Sequence, residues 1–253
     1  MILPTTKIKA ERVNPKKIVI FSNPKVGKST AVSELPNNLI IDLESGTGFI
    51  DAMKVDILEE ARKEGVSAFT MLMKVVKAIA DANKAKGDYV YRFITLDTAT
   101  ALEEIAKELG LKLYKRTPMG KNFTGDDVTK LPNGAGYLYL REAMEMILNE
   151  FDKLCDTLII LGHLKAKFVE KEGKEMESRG LDLTGKLASI LCSQVDAIGY
   201  MYRDGEFTKV NFQPSESLVV GSRPEHLKGQ VITLIEAQAN GKLTVDWSKI
   251  FLD

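Results

Sequence analysis

The stretch Ile18-Val-Ile-Phe-Ser-Asn-Pro-Lys-Val-Gly-Lys-Ser-Thr30 constrains this chain more than any other. A short apolar run rich in β-branched residues, Lys17–Phe21, feeds a Pro/Gly loop. Gly-Lys-Ser-Thr then opens a helix that Pro36 soon stops. Such a loop turns backbone N–H groups inward at a helix N-terminus, where the dipole favours anions. Asn23, Pro24, Lys25 and Val26 form its body. Gly27 permits close approach of a phosphate, and Lys28 reaches the β- and γ-phosphates. Ser29 offers its hydroxyl to Mg²⁺, and Thr30 touches the α-phosphate. The expected ligands are ATP and Mg²⁺. In the pattern G-x-x-x-x-G-K-S/T the first glycine is replaced by Ser22, a small residue that fits if its backbone dihedrals are permissive. A chance Gly-Lys-Ser-Thr at a helix cap is the alternative, and the preceding strand and loop length speak against it.

The rest of the chain alternates in the same way. Leu39–Leu43, Tyr89–Leu96 and Thr157–Gly162 are apolar runs, while Phe69 to Ala80, Leu102 to Leu113 and Tyr137 to Leu154 follow helical spacing. This predicts an α/β fold, a mainly parallel central sheet flanked by helices on both faces. After His163 the pattern changes. Phe168–Glu177, with its Lys-Glu-Gly-Lys turn, reads as a hairpin or a mobile loop, and Thr184–Gln194 as a short helix. Asp196–Phe212 reads as a hairpin around Asp204-Gly205, and Val231–Ile235 and Lys242–Val245 as late edge strands. The C-terminal part is therefore expected to be antiparallel, within one domain spanning residues 1–253. Thr117–Gly136, polar and long, is expected to be a mobile functional loop.

Three strand ends carry the remaining chemistry. Asp97, closing Phe93-Ile-Thr-Leu-Asp, suits the Mg²⁺ shell, the alternative being an N-cap of the next helix. Glu44, after Leu39-Ile-Ile-Asp-Leu, is the candidate to activate water; Asp42 is its rival, and a loop cap is the bland alternative. His163, ending Thr157-Leu-Ile-Ile-Leu-Gly, can donate to a phosphate oxygen or the attacking water, or serve structure alone. The catalytic set is thus Glu44, Lys28 and His163. The two cysteines, Cys155 and Cys192, sit in apolar contexts and read as buried thiols of a reducing compartment. No run approaches the ~20 apolar residues of a membrane span and no signal peptide is evident, so the expected place of action is the cytoplasm, with no membrane partner.

Taken in order, Ser22–Thr30, Leu39–Gly46, Phe93–Thr98, Leu158–Lys165 and Gly180–Tyr200 resemble the RecA-like P-loop NTPase core. More closely, the chain looks like the small phage-encoded AAA-type or RecA-like ATPases of single-strand annealing and recombination, reduced to a minimal core. The resemblance spans roughly residues 17–203. It implies that Glu44 is the water-activating glutamate and that His163 occupies the sensor position, where these recombinases usually carry glutamine. It implies ATP hydrolysis, single-stranded DNA as partner and a homo-oligomer with ATP at the subunit interface. Thr117–Gly136 and Leu164–Leu183 would be the DNA-facing loops, and Arg203, Lys209 or Arg223 the cation donated to a neighbour.

The residues themselves give a mixed picture of DNA binding. Net charge is zero, so a local patch is required. Lys112, Lys115, Arg116, Lys121 and Lys130 lie near the first loop, and Lys165, Lys167, Lys171, Lys174 and Arg179 near the second. Phe123 and Phe168 are candidates for stacking on bases. Asp126, Asp127, Glu170, Glu172, Glu175 and Glu177 dilute both patches, as in an ordinary solvated face. An ATPase working on a protein partner and a nucleotide-holding module without hydrolysis are the alternatives.

Overall fold

The computed structural model describes residues 3, 5–171, 174–238 and 241–252. Its strands form one eleven-stranded sheet, with β11-β10-β8-β7-β1-β5-β4-β2-β3 as the continuous path. The phosphate loop follows β1 (Lys17–Ser22) and leads into α1 (Lys28–Ser33). β2 (Asn38–Asp42), β3 (Lys54–Asp56), α2 (Ile57–Glu64), α3 (Ala68–Lys86), β4 (Phe93–Asp97) and α4 (Ala99–Lys115) come next. α5 (Ala135–Asp152), β5 (Thr157–Lys171), β6 (Lys174–Leu181) and α6 (Leu187–Gln194) complete the helical half. β7 (Ala197–Asp204), β8 (Phe207–Asn211), β9 (Gly221–Ser222), β10 (Val231–Ala237) and β11 (Leu243–Val245) follow.

The six strands from β3 to β7 run parallel, and β8, β10 and β11 continue antiparallel. The chain thus has the expected α/β architecture, a mainly parallel sheet continued by antiparallel C-terminal strands. β5 lies between β1 and β4, in register Ser22 to His163 and Asp97 to Leu161. Alternation along β1 divides the core: Val19 and Phe21 face α3, α4, α5 and α6, while Ile18 and Ile20 face the other way. That second face is covered less by helices than expected. Besides α1, the C-terminal segment covers it: Trp247, Ile250 and Phe251 are buried there. Phe251 packs on Phe93 at 4.8 Å, and Trp247 Nε1 donates to the Ala31 carbonyl at 2.8 Å.

Several expectations change on contact with tertiary structure. Of the two late strands, β10 is interior, between β8 and β11, and β11 lies at an edge. β5 does not stop at Gly162; it runs on and pairs with β6 from Leu164 to Leu181, so the segment read as hairpin or loop is a hairpin. Residues 172 and 173 of its turn lie outside the described residues. The Thr117–Gly136 segment holds 3-10 turns at Val128–Lys130 and Pro132–Gly134, and its Val128 and Leu131 form a small core with Tyr114 of α4. A Cβ at Gly136 would sit 2.0 Å from the Val128 carbonyl oxygen, and one at Gly120 would sit 1.9 Å from that of Tyr114. Both glycines are there because backbone packs on backbone. Phe123 meets Tyr114 edge-on at 5.6 Å, so one of the two proposed stacking aromatics is occupied inside the protein. Cys155 is buried but Cys192 only half-buried; burial pushes their thiols up to about 12 and about 11.

Candidate functional site

At the carboxyl ends of the parallel strands lies a polar cleft of about 390 Å³. Pro24, Lys25, Gly27, Lys28, Ser29, Thr30, Glu44, Asp97 and His163 line it, together with Gly46, Ile50 and Thr98. Sheet order explains the convergence: β1, β5, β4 and β2 are neighbours, so their tips present the loop, His163, Asp97 and Glu44 in one row. Asn23 and Val26 do not line the cleft. The Asn23 carbonyl accepts from the Ser22 hydroxyl at 2.7 Å, and Val26 packs toward the core.

The loop turns through two left-handed residues, Lys25 (φ 64°) and Gly27 (φ 107°). Ser22 is not one of them. It ends β1 as a fully buried, extended residue, and its hydroxyl accepts from the Lys28 ammonium at 2.9 Å. The substitution for glycine therefore costs no backbone strain and supplies Lys28 with an oxygen. Burial pushes the Lys28 ammonium below its ordinary value, and attraction to Asp97 and Glu44 only partly offsets this.

Ser29 Oγ donates to Asp97 Oδ2 at 2.6 Å. Burial drives the Asp97 carboxyl above the usual range; the Ser29 bond and Lys28 pull against it, and Glu44 and Asp42 add to it. A hydroxyl and a carboxylate oxygen are the hard donors that Mg²⁺ takes. Among the described residues no three His, Cys, Asp or Glu side chains cluster to hold a metal. The pair fits a cation that completes its shell with phosphates and water. Asp97 does not cap α4. Thr98 does, its Oγ1 accepting from Ala101 N–H.

Asp42 and Glu44 have separate surroundings. Asp42 is buried and accepts from the N–H groups of Glu44, Gly46 and Thr47 and from the Thr47 hydroxyl. Burial opposes its charge, but these bonds outweigh it and hold the carboxyl below the ordinary range. Asp42 thus fastens the loop that carries Glu44. Glu44 itself reaches into the cleft, where Oε1 accepts from the Thr98 hydroxyl and faces His163 Nε2 at 3.2 Å. His163 Nδ1 is buried without a partner among the described residues. Sequence reasoning passed over Thr98. A threonine before a helix signals a cap, but its contact with Glu44 spans separate parts of the chain.

The remaining candidates lie elsewhere. Arg223 donates to Asp196 Oδ1 and the Ser193 carbonyl, both at 3.0 Å. Asp196 Oδ2 in turn accepts from the N–H groups of Lys16 and Lys17, at the opposite end of β1 from the loop. Lys209 pairs with Asp204 at 2.6 Å, whereas Arg203 is exposed near the carboxyl end of β7, the end nearer the phosphate loop. On the β5–β6 hairpin Lys165 pairs with Asp182 and Arg179 with Glu177, while Lys167 and Phe168 are exposed. The side chains at 170, 171, 172, 174 and 175 lie outside the described residues.

Among solved structures, a crystal structure of the RadB recombinase is similar over 90% of this chain and 90% of that chain, with 11% identity and a TM-score of 0.41. Among curated proteins none matches. No described helix is long and apolar enough to cross a membrane. A family model described as an AAA domain matches residues 14–224, a span that contains every residue lining the cleft, and the chain therefore belongs to the AAA domain family.

Proposed function

We propose that this chain binds and hydrolyses Mg-ATP and works on single-stranded DNA, in recombination or strand annealing, as a homo-oligomer. The observation that carries the ATPase reading is the meeting, in one cleft, of Lys28 and Ser29 at the loop with Asp97 at the end of β4, Glu44 just past β2 and His163 within β5. In this reading Lys28 leaves Ser22 for the phosphates, and Ser29 and Asp97 hold the metal shell. Glu44 takes the proton of the attacking water. His163, beside Glu44, fixes that carboxylate or meets the phosphate. Support for single-stranded DNA comes from exposed Phe168 and Lys167 on the projecting hairpin.

A second reading, an ATPase acting on a protein partner, gains from the pairing of the hairpin cations Lys165 and Arg179 with Asp182 just past β6 and with Glu177. Phosphate release measured with and without single-stranded DNA separates the two. The expected result is Mg²⁺-dependent multiple turnover that DNA stimulates. Turnover indifferent to DNA favours a protein partner, and absence of turnover with intact ATP binding leaves a nucleotide-holding module.

A further inference from the structure

The phosphate loop and α1 have little support of their own. Gly27, at φ 107°, has no side chain to anchor it, and α1 has six residues and no side-chain cap at its start. A helix that short is marginal by itself. Both lean on the C-terminal part of the chain, through two contacts.

The first is made by Ile235. The pairing of β10 with β8 slips between Thr233 and Ile235, and Leu234 and Ile235 are both buried in the core face that holds α1. Plain alternation would send one of them to the other side of the sheet; a bulge re-aims it. Ile235 is 4% exposed, and a Cβ at Gly27 would sit 3.4 Å from its Cδ1. Val26 packs on the same core. The second contact is made by buried Trp247, whose Nε1 donates to the Ala31 carbonyl at 2.8 Å. Ala31 is among the last four residues of α1, whose carbonyls have no partner within the helix. The C-terminal segment is itself fastened. Trp247 stacks on Phe251 at 5.6 Å, and Asn14, shortly before β1, exchanges two hydrogen bonds with Leu252, at 2.6 and 2.8 Å.

We infer that the C-terminal segment from β10 to Phe251 positions the phosphate loop, with Ile235 and Trp247 as its positioning residues. Ile235 holds the backbone at Gly27 and Trp247 holds α1 at Ala31. Lys28 and Ser29 lie between those two points, so their approach to phosphate and metal is set from both sides. The inference rests on the reading of the cleft as a Mg-ATP site. Neither Ile235 nor Trp247 lines the cleft; both act through the backbone of the loop. A contact that served packing alone would govern stability, whereas a positioning contact also governs nucleotide affinity.

Calorimetry with the slowly hydrolysed analogue Mg-ATPγS tests this on the full chain, at a temperature where circular dichroism shows each variant folded. Trp247→Phe keeps an aromatic ring and removes the donor; affinity should fall by about 2- to 10-fold, the span of one net hydrogen bond. Ile235→Val removes only Cδ1 and should weaken binding by about 2- to 4-fold, the equivalent of up to one buried CH₂. Ile147→Val makes the same deletion on α5, in the other core face, and should leave affinity unchanged. Either Trp247→Phe or Ile235→Val, folded and binding as tightly as the unaltered protein, overturns the inference, as does Ile147→Val weakening binding as much as Ile235→Val. Where Trp247→Phe does not fold, Ile235→Val decides. Failure of the unaltered protein to bind the nucleotide at all defeats the reading of the cleft instead.

Discussion

Lys28 is held by a neutral hydroxyl in a place where its charge is disfavoured, so exchanging Ser22 for phosphate oxygens improves its electrostatics. Charge-assisted bonds of this kind are worth ~1.5–3 kcal/mol. Lys28→Ala is therefore expected to weaken ATP binding by roughly 10- to 150-fold; calorimetry with unchanged affinity would remove Lys28 from the site. The two carboxylates after β2 should separate in the same way. Glu44→Gln should keep Mg-ATP bound and slow turnover by about 10²-fold or more, the scale of a lost general base. Asp42→Asn should act on stability. The folded-state carboxyl of Asp42 is depressed, so its contribution is present above the unfolded value of ~3.9 and is lost as pH falls through the lower, folded value. The asparagine variant should thus be less stable at neutral pH, and its urea midpoint should fall less on acidification below about pH 4. A variant as acid-sensitive as the parent protein, or one with Glu44→Gln turning over normally, means the roles are otherwise distributed.

Elements differ in how plainly the chain announces them. α3, α4 and α5 are long enough for their apolar spacing to be read directly, and β1, β2 and β4 are buried on both faces and so read as unbroken apolar runs. β3 and α2 escaped notice, because β3 has three residues and no pattern survives at that length. The C-terminal segment was unreadable for another reason. Trp247-Ser-Lys-Ile-Phe251 has neither strand nor helix periodicity, yet it buries two aromatics against β4 and α1. Its energetic weight is correspondingly large: Trp247→Ala should cost ~3–5 kcal/mol, the usual range for a buried aromatic cut back to alanine. Chemical denaturation followed by circular dichroism measures this, and a loss near zero would mean that the segment merely rests on the sheet.

The whole molecule places the cleft at the carboxyl ends of the parallel strands and the Arg223–Asp196 clamp at the opposite end of β1. This bears on assembly. Of the three cations considered for donation to a neighbouring subunit, Arg223 and Lys209 have partners within the chain, and Arg203 is exposed at the strand end nearer the cleft. A planar guanidinium suits phosphate oxygens, so Arg203→Ala is expected to reduce turnover with little change in nucleotide affinity. Arg223→Ala is expected to lower thermal stability first. Mixing Arg203→Ala with Lys28→Ala subunits should restore part of the activity, because some mixed interfaces pair an intact loop with an intact arginine. Light scattering with ATP and single-stranded DNA checks the assembly itself. A monomer at micromolar concentration that hydrolyses ATP at full rate would exclude any donated cation.

The sequence by itself determined the phosphate loop, the parallel α/β core and the apolar strands that bring Asp97, Glu44 and His163 to one end of the sheet, though not that β5 runs on past His163. These follow from contiguous chemistry: a strand, a turn with a glycine at positive φ, a helix start, and apolar runs that only a covered sheet can bury. Tertiary structure alone decided how those residues divide their work. That Asp42 ties its own loop while Glu44 faces the cleft depends on where the chain turns after β2. The contacts of Glu44 with Thr98 and His163, the engagement of Arg223 by Asp196 and the covering of β4 by Phe251 join residues far apart in the chain. Local propensity carries no information about such pairs, because strand order and register, which no single segment encodes, set which distant side chains become neighbours.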